Sequence, residues 1–306
     1  MKSSFSHIGL AKLCGWFGLT RQAYYHDGWK GIDISIEEDV LLTQVATIRE
    51  NHKRMGTRKL YEKLQPFMVE HQIKMGRDAL FDLLSSNHML VRKRTRRIQT
   101  TQSHHWLRKY TNLIHGFVPT APNQLWVSDI TYWKINGKYV YISFITDAFS
   151  RKVVGFHVAQ TLETVETIQA LRMALSGLSE RPESHPNLIH HSDRGVQYCS
   201  HDYVKLLQDY HIQISMTENG DPLENAIAER LNGIIKDEYL NDSAVKSIDE
   251  ARIILTHAVY LYNEDRPHMS IGNQYPSLVH KQSLKTERLW KNYYKKKPII
   301  VNQSQD

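Results

Sequence analysis

The sequence is poor in cysteine, and its two cysteines, Cys14 and Cys199, lie far apart. Such a chain has no disulfide framework and no cysteine-rich zinc site, and it suits a reducing cytoplasm. Long apolar stretches are also missing: no run approaches the roughly 20 residues that cross a bilayer. The N-terminus lacks a long apolar core followed by a small-residue cleavage site. We therefore expect a cytoplasmic protein with no membrane segment.

The composition excludes a disordered chain and favours a polyanionic partner. Hydrophobic residues make up 41% and charged residues 23% of the 306 positions, which is typical of a globular protein of one large domain or roughly two to three smaller ones. Acids are outnumbered: 39 Lys and Arg stand against 32 Asp and Glu, a formal net charge of +7. Nucleic acid would complement this charge, although other basic soluble proteins share it.

The N-terminal third has helical periodicity. Residues 8–26 combine an apolar helix, a break at Gly18 and an N-cap at Thr20 for a second short helix. This pattern indicates either a helix-turn-helix, whose second helix enters a DNA groove, or a simple helical hairpin. A further helix is predicted over Ile36–Arg49, and two more follow Gly56.

A basic run follows these helices, between Val91 and Thr100. Its charged residues are Arg92, Lys93, Arg94, Arg96 and Arg97. Runs of this kind are either phosphate contacts or solvated linkers. Because this run joins a helical region to a polar stretch, we expect a linker that tracks DNA. His104 and His105 have no second ligand pair at a useful spacing, so we expect no metal there.

From about residue 119 the pattern changes to strands. Residues 123–135 alternate and are rich in β-branched and aromatic side chains, and Asn136-Gly137 is a strong hairpin signal. The later predicted elements are strands over 139–149, 152–159, 187–190 and 212–215 and helices over 163–176, 201–210 and 221–239. This is the order of an RNase H-like α/β fold, although periodicity by itself indicates only mixed α/β.

The last predicted helix presents one acid on a narrow polar stripe. Asp221 is a good N-cap, Pro222 suits the first helical position, and Glu224 can close a capping box. At roughly 100° per residue the polar and apolar residues fall on opposite faces. The stripe contains Asn225, Glu229, Asn232 and Lys236, and the apolar face contains Ile227, Leu231 and Ile234.

Two strand acids complete a candidate metal site. Asp129 lies mid-strand, where an ionised carboxylate is costly unless it is paired or bound to metal, and Asp193 follows a short apolar strand. Each has a simpler alternative: a turn for Asp193 and a solvated helix face for Glu229. Asp147 lies at a strand end, where aspartate caps a turn, and Glu238 points towards the apolar side of its helix. The prediction therefore rests on Asp129, Asp193 and Glu229 as a set.

These acids and the sequence around them resemble a known family. Since 229 − 193 = 36, 35 residues separate Asp193 from Glu229, as in the DDE signature of the retroviral-integrase superfamily. Four motifs, in order, resemble the second-frame (OrfB-type) transposases of bacterial insertion sequences of the IS-three family: WVSDITYW, HSDRGVQY, ENAIAERLNGIIKDEY and YNEDRPHMSIGNQYP. The chain departs from that family at Glu224, where Asp is frequent, and at Ser270 or Ile271, where a leucine usually follows the RPH motif.

The resemblance covers essentially the whole chain and implies a domain order. It implies an RNase H-like integrase catalytic core, with a mixed five-stranded sheet flanked by helices, preceded by a small all-α helix-turn-helix DNA-binding region. The expected segments are a helix-turn-helix-like segment at 1–35, a helical DNA-binding domain at 36–98, a basic and polar linker at 99–118, the catalytic core with C-terminal helices at 119–280 and a basic tail at 281–306.

The resemblance also implies a reaction and its partners. Three carboxylates would hold Mg²⁺, with Mn²⁺ as a substitute, for cleavage and joining of DNA without a covalent protein–DNA intermediate. DNA contacts are expected from Lys236, Asn225, Asn232, His191 and Arg194. The alternative for Asn225 and Asn232 is that they orient the glutamate, and the alternative for His191 and Arg194 is a structural role. The expected partners are insertion-sequence ends, target DNA, further copies of the chain and an upstream first-frame protein, at the bacterial nucleoid. A nuclease without strand transfer and a DNA-binding regulator with an inert core are the alternatives.

Overall fold

The structure is a computed structural model that describes residues 9–16, 18, 20–91, 106–178, 187–218 and 225–287. The chain divides into two compact units, Met1–Arg92 and Lys93–Asp306. The predicted capping residues Asp221, Pro222 and Glu224 and the basic run from Arg92 to Arg97 lie outside the described residues. Within those residues, no helix has both the length and the apolar character needed to span a bilayer.

The first unit is helical in its described part. Its helices are α1 (Leu10–Trp16), α2 (Arg21–Asn51), α3 (Thr57–Glu70) and α4 (Arg77–Ser86). Helices α2, α3 and α4 share a core in which leucines at helical spacing are fully buried, among them Leu41, Leu60, Leu64, Leu80 and Leu84. This is the helical region that the periodicity predicted, and its role in binding DNA stays a prediction.

One predicted helix boundary in this unit is wrong. The sequence indicated a short helix after Thr20 and a separate helix from Ile36, but α2 is continuous from Arg21 to Asn51. The intervening segment contains Gly28 and Gly31 but no proline. A glycine costs a helix only about 1 kcal/mol relative to alanine, whereas proline costs about 3 kcal/mol, so the helix can continue through both.

The second unit is built on a five-stranded sheet, within the described residues, of order β3-β2-β1-β4-β5. The strands are β1 (Leu125–Ile135), β2 (Lys138–Asp147), β3 (Val153–Ala159), β4 (Ile189–Ser192) and β5 (Gln213–Met216). The first three are antiparallel neighbours, and β4 and β5 continue the sheet parallel to β1. This mixed topology, with helices between the later strands, confirms the predicted RNase H-like α/β class.

The sheet is flanked by helices whose order follows the predicted alternation. They are α5 (Thr164–Ser176), α6 (Val196–Cys199), α7 (His201–Asp209), α8 (Ala226–Ile235), α9 (Ile248–Glu264) and α10 (Pro276–Gln282). Alternate residues of β1 serve different cores: Trp126 packs in the cluster that includes α5 and α7, and Trp133 packs in the cluster that includes α8 and α9. A central strand covered on both faces must be almost continuously apolar, so a charged residue within β1 is conspicuous.

Two turns form as the sequence predicted. Asn136 and Gly137 join β1 to β2 with φ values of +42° and +80°, as a two-residue hairpin turn requires. Asp147 Oδ1 accepts hydrogen bonds from the backbone N–H and the hydroxyl of Ser150, at 2.7 and 2.6 Å. Asp147 therefore caps the β2–β3 turn and is not a site acid.

The helix that carries Glu229 ends differently from the prediction. The sequence indicated one helix to Tyr239, but α8 is α-helical only to Ile235 and continues as a π-helical turn over Lys236–Leu240. Here the Glu238 carboxylate accepts two hydrogen bonds from the buried Arg266 guanidinium, from Nε at 2.7 Å and from Nη2 at 2.6 Å. We attribute the wider turn to this bidentate pair, which aligns Glu238 with an element far away in sequence.

The motif around Arg266 is structural in this unit. Of the two residues that could replace the family's usual leucine, Ile271 is 2% exposed, and Ser270 accepts a hydrogen bond from Arg151 Nε at 3.1 Å.

Gly155 offers a test of how closely α5 lies on β3. A Cβ at this position would be 2.1 Å from the carbonyl oxygen of Ala170 and 3.0 Å from the Ala174 Cβ. We expect Gly155→Ala to lower the free energy of unfolding by about 1–3 kcal/mol, the usual cost of overpacking. Urea denaturation would measure this change.

The matched control is Gly233→Ala in α8, where a Cβ would meet nothing within 4 Å. That variant should be neutral or more stable by up to about 1 kcal/mol, because alanine restricts the unfolded chain more than glycine does. Equal stability of Gly155→Ala and the wild type would contradict the close approach of α5 to β3.

Candidate active site

The polar stripe of α8 is hydrogen-bonded to β1. Asn225 Nδ2 donates to the Ser128 carbonyl at 3.0 Å, and Asn232 Nδ2 donates to Asp129 Oδ2 at 2.7 Å. One turn further, Lys236 Nζ donates to Thr131 Oγ1 at 3.2 Å. These three bonds align the helix with the strand. Because Glu229 is on the same stripe, they also set its position relative to Asp129.

Burial separates the members of this stripe. Asn225 and Asn232 are 7% and 8% exposed, whereas Glu229 is exposed and Lys236 half-buried. The two amides therefore contact β1 and are largely covered, which favours a positioning role over the DNA contact that was predicted. Their observed bonds go to Ser128 and Asp129 and not to Glu229.

Asp193 is brought level with Asp129 by the parallel pairing of β1 and β4. The register pairs Val127 with His191, and the two acids each follow their paired residue by two positions (129 − 127 = 193 − 191 = 2). Neighbouring strands lie about 4.8 Å apart. If the register continues for two more residues, the half-buried Asp129 and Asp193 lie side by side. The pairing explains how acids 64 residues apart (193 − 129) come together.

Local geometry fixes the Asp193 carboxylate. Its Oδ1 accepts a hydrogen bond from the Gly195 N–H at 2.9 Å, and a Cβ at position 195 would lie 3.0 Å from the same oxygen. The Ser-Asp-Arg-Gly turn offered as the simpler interpretation of Asp193 is therefore present. It orients the carboxylate and does not compete with a role in the site.

The three acids interact electrostatically. The pKa of Asp129 is raised from 3.8 to about 8, first by burial and then by the charge of Asp193, with a smaller contribution from Glu229. Hydrogen bonds from the Ile130 N–H and the Asn232 amide oppose this rise. The pKa of Glu229 is also raised, by burial. Each carboxylate thus makes a second negative charge at this point unfavourable.

The donor set fits a divalent cation. Ionised carboxylates supply the hard oxygen ligands that Mg²⁺ prefers, and a cation would offset the repulsion that raises the pKa of Asp129. Within the described part of the chain, no group of three or more His, Cys, Asp or Glu side chains is arranged so that it could hold a metal ion. Among the three acids, Glu229 is exposed, whereas Asp129 and Asp193 are half-buried.

A buried polar network, which sequence patterns did not predict, lies beneath the acids. His190 Nε2 is 2.7 Å from Ser128 Oγ and 3.0 Å from the Tyr203 hydroxyl. The pKa of His190 is lowered to about 3, first by burial and then by His191, so the ring is neutral at physiological pH. The Tyr198 hydroxyl is buried with no hydrogen-bond partner among the described residues, and the charges of Asp129 and Asp193 help to raise its pKa.

The two remaining predicted DNA contacts differ in burial. His191 is fully buried, and its Nδ1 lies 2.8 Å from Ser215 Oγ on β5. The burial of His191 and its contact with Ser215 favour the structural alternative, and its DNA contact stays a prediction. Strand β4 is covered on both faces, which explains why its polar residues are buried. Arg194 is half-buried, and its DNA contact stays a prediction.

Comparison with known proteins gives the family. Models of the integrase core domain match residues 119–222 and 210–276. An uncharacterised 31 kDa protein of insertion element IS600 from Shigella sonnei is 33% identical over 275 residues, which cover 87% of this chain and 96% of that protein. The chain belongs to the integrase-core transposases of bacterial insertion sequences. The transposase for insertion sequence element IS629 from the same organism is 29% identical over 280 residues, or 89% of this chain and 92% of the relative.

Solved structures resemble the integrase core of this chain more distantly than these sequence relatives do. The catalytic core domain of HTLV-2 integrase, determined in complex with magnesium, is 24% identical. It covers 52% of this chain and 97% of its own length, with a TM-score of 0.41. The expected family of the chain is confirmed by the sequence matches, whereas the roles of individual residues rest on the geometry described above.

The raised pKa of Asp129 predicts a pH dependence of stability without metal. Between about pH 4 and pH 8 the folded chain retains a proton on Asp129 that the unfolded chain releases, so the free energy of unfolding should fall as pH rises. The depressed pKa of His190 acts in the opposite direction below its ordinary value of 6.5. The clean window for Asp129 is therefore pH 6.5 to 8.

Denaturation in EDTA at several pH values would measure this slope. Asp129→Asn should flatten this slope. At pH 8 the free energy of unfolding of the variant should exceed that of the wild type by roughly 1.4 kcal/mol for each unit by which folding raises the pKa of Asp129. Asp237→Asn removes an exposed carboxylate from the π-helical turn that follows α8 and should keep the wild-type slope. A slope unchanged by Asp129→Asn would mean that this carboxyl is not strained by its neighbours.

The pair between Glu238 and Arg266 predicts a large effect on stability. The Arg266 side chain is 1% exposed and that of Glu238 15%, so Glu238→Gln leaves a buried guanidinium without its counter-charge. We expect a loss of about 3 kcal/mol in the free energy of unfolding, measured by urea denaturation. Asp249→Asn is the control, because Asp249 pairs at 2.9 Å with Arg252 on the surface and should cost less than about 1 kcal/mol.

Proposed function

We propose that Asp129, Asp193 and Glu229 hold a divalent metal, Mg²⁺ or Mn²⁺ in its place, and catalyse cleavage and joining of DNA strands at the ends of an insertion sequence. The supporting observation is the ladder position shared by the two strand acids, next to a helix whose polar stripe is bonded to the same strand. Membership of the transposase family supports DNA as the substrate.

A bound divalent metal would supply positive charge at the attacking and leaving oxygens of a phosphodiester. The chain's own residues orient the ligands. Asp129 Oδ2 accepts the Asn232 amide and Oδ1 accepts the Ile130 N–H. A carboxylate has about four acceptor positions, so both oxygens keep capacity for a cation.

Lys236 is the cation best placed to contact the substrate. Its Nζ lies at Thr131, two residues beyond Asp129, and its pKa is lowered by burial against the opposing effects of Asp237 and Asp129. We assign it to a phosphate next to the cleaved bond. The bond to Thr131, on the same face of β1 as Asp129, supports this assignment.

The reaction consists of two displacements at phosphorus. In the first, a water oxygen forms a bond to the phosphorus at the end of the element, and the bond to the 3′ oxygen breaks, leaving a 3′-hydroxyl. In the second, that hydroxyl attacks a target phosphodiester, and the target's own 3′ oxygen leaves. Neither step uses a serine or tyrosine nucleophile. Further copies of the chain, a first-frame partner or a frameshifted fusion to it, and a location at the nucleoid belong to the same proposal.

Glu229→Gln is the decisive variant. It keeps the size of an exposed side chain and removes its charge, so folding and binding of the element ends should be nearly unchanged. Cleavage with Mg²⁺ should fall by at least about 100-fold, because one anionic ligand is lost. Labelled candidate ends incubated with Mg²⁺ would show the cleavage, and circular dichroism and fluorescence anisotropy would show folding and binding.

The matched control is Asp249→Asn, which removes an exposed acid that pairs with Arg252 on the surface of α9, at 2.9 Å. It should cleave like the wild type. Cleavage by Glu229→Gln at wild-type rates would reject the assignment of the site.

A pre-cut 3′ end separates the function classes. The transposase proposal expects joined product from this substrate with the wild-type chain and none with Glu229→Gln. Cleavage of intact ends without any joining would indicate the nuclease alternative. A chain that binds ends, is inactive on both substrates and is unaffected by loss of the acids would indicate a regulator.

A further inference from the structure

The outer half of the β1–β2 hairpin has an aromatic face. Antiparallel register pairs Tyr132 with Tyr141 and Lys134 with Tyr139, so these four side chains lie on one face of the hairpin. The alternating residues, Trp133 and its partner Val140, lie on the other face and are buried in the core. The tyrosines are therefore not part of that core.

This face is accessible and carries no negative charge of its own. Tyr139 is 50% exposed, Lys134 is exposed, and Tyr132 and Tyr141 are half-buried. The rings of Tyr132 and Tyr139 meet edge to face, with centroids 5.4 Å apart. Residues 130–146 contain no Asp or Glu. Lysines next to accessible tyrosines are the combination that binds nucleic acid through phosphate charge and base stacking.

Lys236 connects this face to the candidate active site. Its Nζ is 3.2 Å from Thr131 Oγ1 and 4.3 Å from the centroid of the Tyr132 ring. Tyr132 follows Asp129 by three residues, about 10 Å along the strand, so the two side chains leave opposite faces of the sheet. Lys236 is the residue that reaches both sides, through Thr131 and through the Tyr132 ring. A DNA strand with its phosphate at Asp129 and Lys236 would therefore have neighbouring nucleotides within reach of the hairpin.

We propose that Tyr132 and Tyr139, with Lys134, form a second DNA-binding site that stacks on unpaired bases beside the cleaved phosphodiester. This inference rests on the proposed function, since it takes the DNA at Asp129 as its reference point. Unpaired bases are the specified ligand because paired bases in a duplex do not offer their faces to a tyrosine ring. Stacking would favour DNA ends whose terminal pairs have opened.

The purely structural interpretation explains less of this face. A tyrosine pair across strands stabilises a hairpin by about 0.2–1 kcal/mol, and that role would be satisfied with both rings covered. It does not account for the exposure of Tyr139, for the exposed Lys134 on the same face, or for the position of Lys236 over the ring of Tyr132.

The test measures binding and not catalysis. Two probes are compared: a short blunt duplex, and the same duplex ending in a few unpaired nucleotides that include 2-aminopurine, whose fluorescence falls on stacking. All proteins carry Glu229→Gln, so that Mg²⁺ can be present without cleavage. Tyr139→Val removes the ring and keeps β propensity, Tyr139→Thr is a second ringless variant, and Tyr139→Phe retains the ring.

In the protein with Tyr139 and in the Tyr139→Phe variant, the unpaired probe should bind more tightly than the blunt one, and its fluorescence should fall. The ringless variants should lose about tenfold in affinity for the unpaired probe, the value of one stacked base, lose the fluorescence change, and bind the blunt probe as before. A preference that survives in a folded ringless variant overturns the proposal, as does an equal loss on both probes. No outcome of this binding test depends on cleavage. A failure of the proposed function in the cleavage assay and a failure of this binding site are therefore distinguishable.

Discussion

The hydrogen bonds between the polar stripe of α8 and strand β1 are the constraint on which the site depends. A helix packed on a sheet by apolar contacts alone could slide or rotate, since hydrophobic contact is non-directional. The amides of Asn225 and Asn232 remove that freedom because each has one acceptor on β1, at Ser128 and at Asp129. Sheet pairing then determines the rest, since the register of β4 against β1 sets where Asp193 lies.

The same arrangement stores electrostatic strain. An ionised carboxylate in a half-buried strand next to two other acids is unfavourable, and the raised pKa of Asp129 measures that cost. The surrounding hydrogen bonds do not remove the repulsion. They hold the acids in place despite it, which is what a site that receives a cation requires. The repulsion therefore lowers the stability of the folded chain wherever Asp129 is ionised.

Sequence patterns predicted the elements that carry the acids and most of the sheet. Three features follow from local sequence signals and are found in the structure: the alternation in 123–135, the Asn-Gly turn and the polar stripe of α8. The inward direction of Asn225 and Asn232 could not be predicted in this way, because a polar helix stripe looks the same whether it faces solvent or a strand. Buried His191 was missed for a similar reason, since a polar residue in a short strand gives no periodic signal of burial.

Other features depend on contacts between distant segments. The network of His190 with Ser128 and Tyr203 joins three separate elements, and the π-helical turn depends on Arg266, 28 residues beyond Glu238 (266 − 238). No local propensity describes either one. The continuous α2 was predicted as two helices. The glycines between them, Gly28 and Gly31, cost a helix too little to interrupt it.

The π-helical turn has a mechanical consequence for the C-terminal half of the core. A π turn accommodates one residue more than an α turn, and one residue corresponds to about 100° of rotation. Within this one turn, Lys236 bonds to Thr131 on β1 and Glu238 bonds to Arg266, which follows α9. Two residues of a single turn therefore connect it to two different parts of the core.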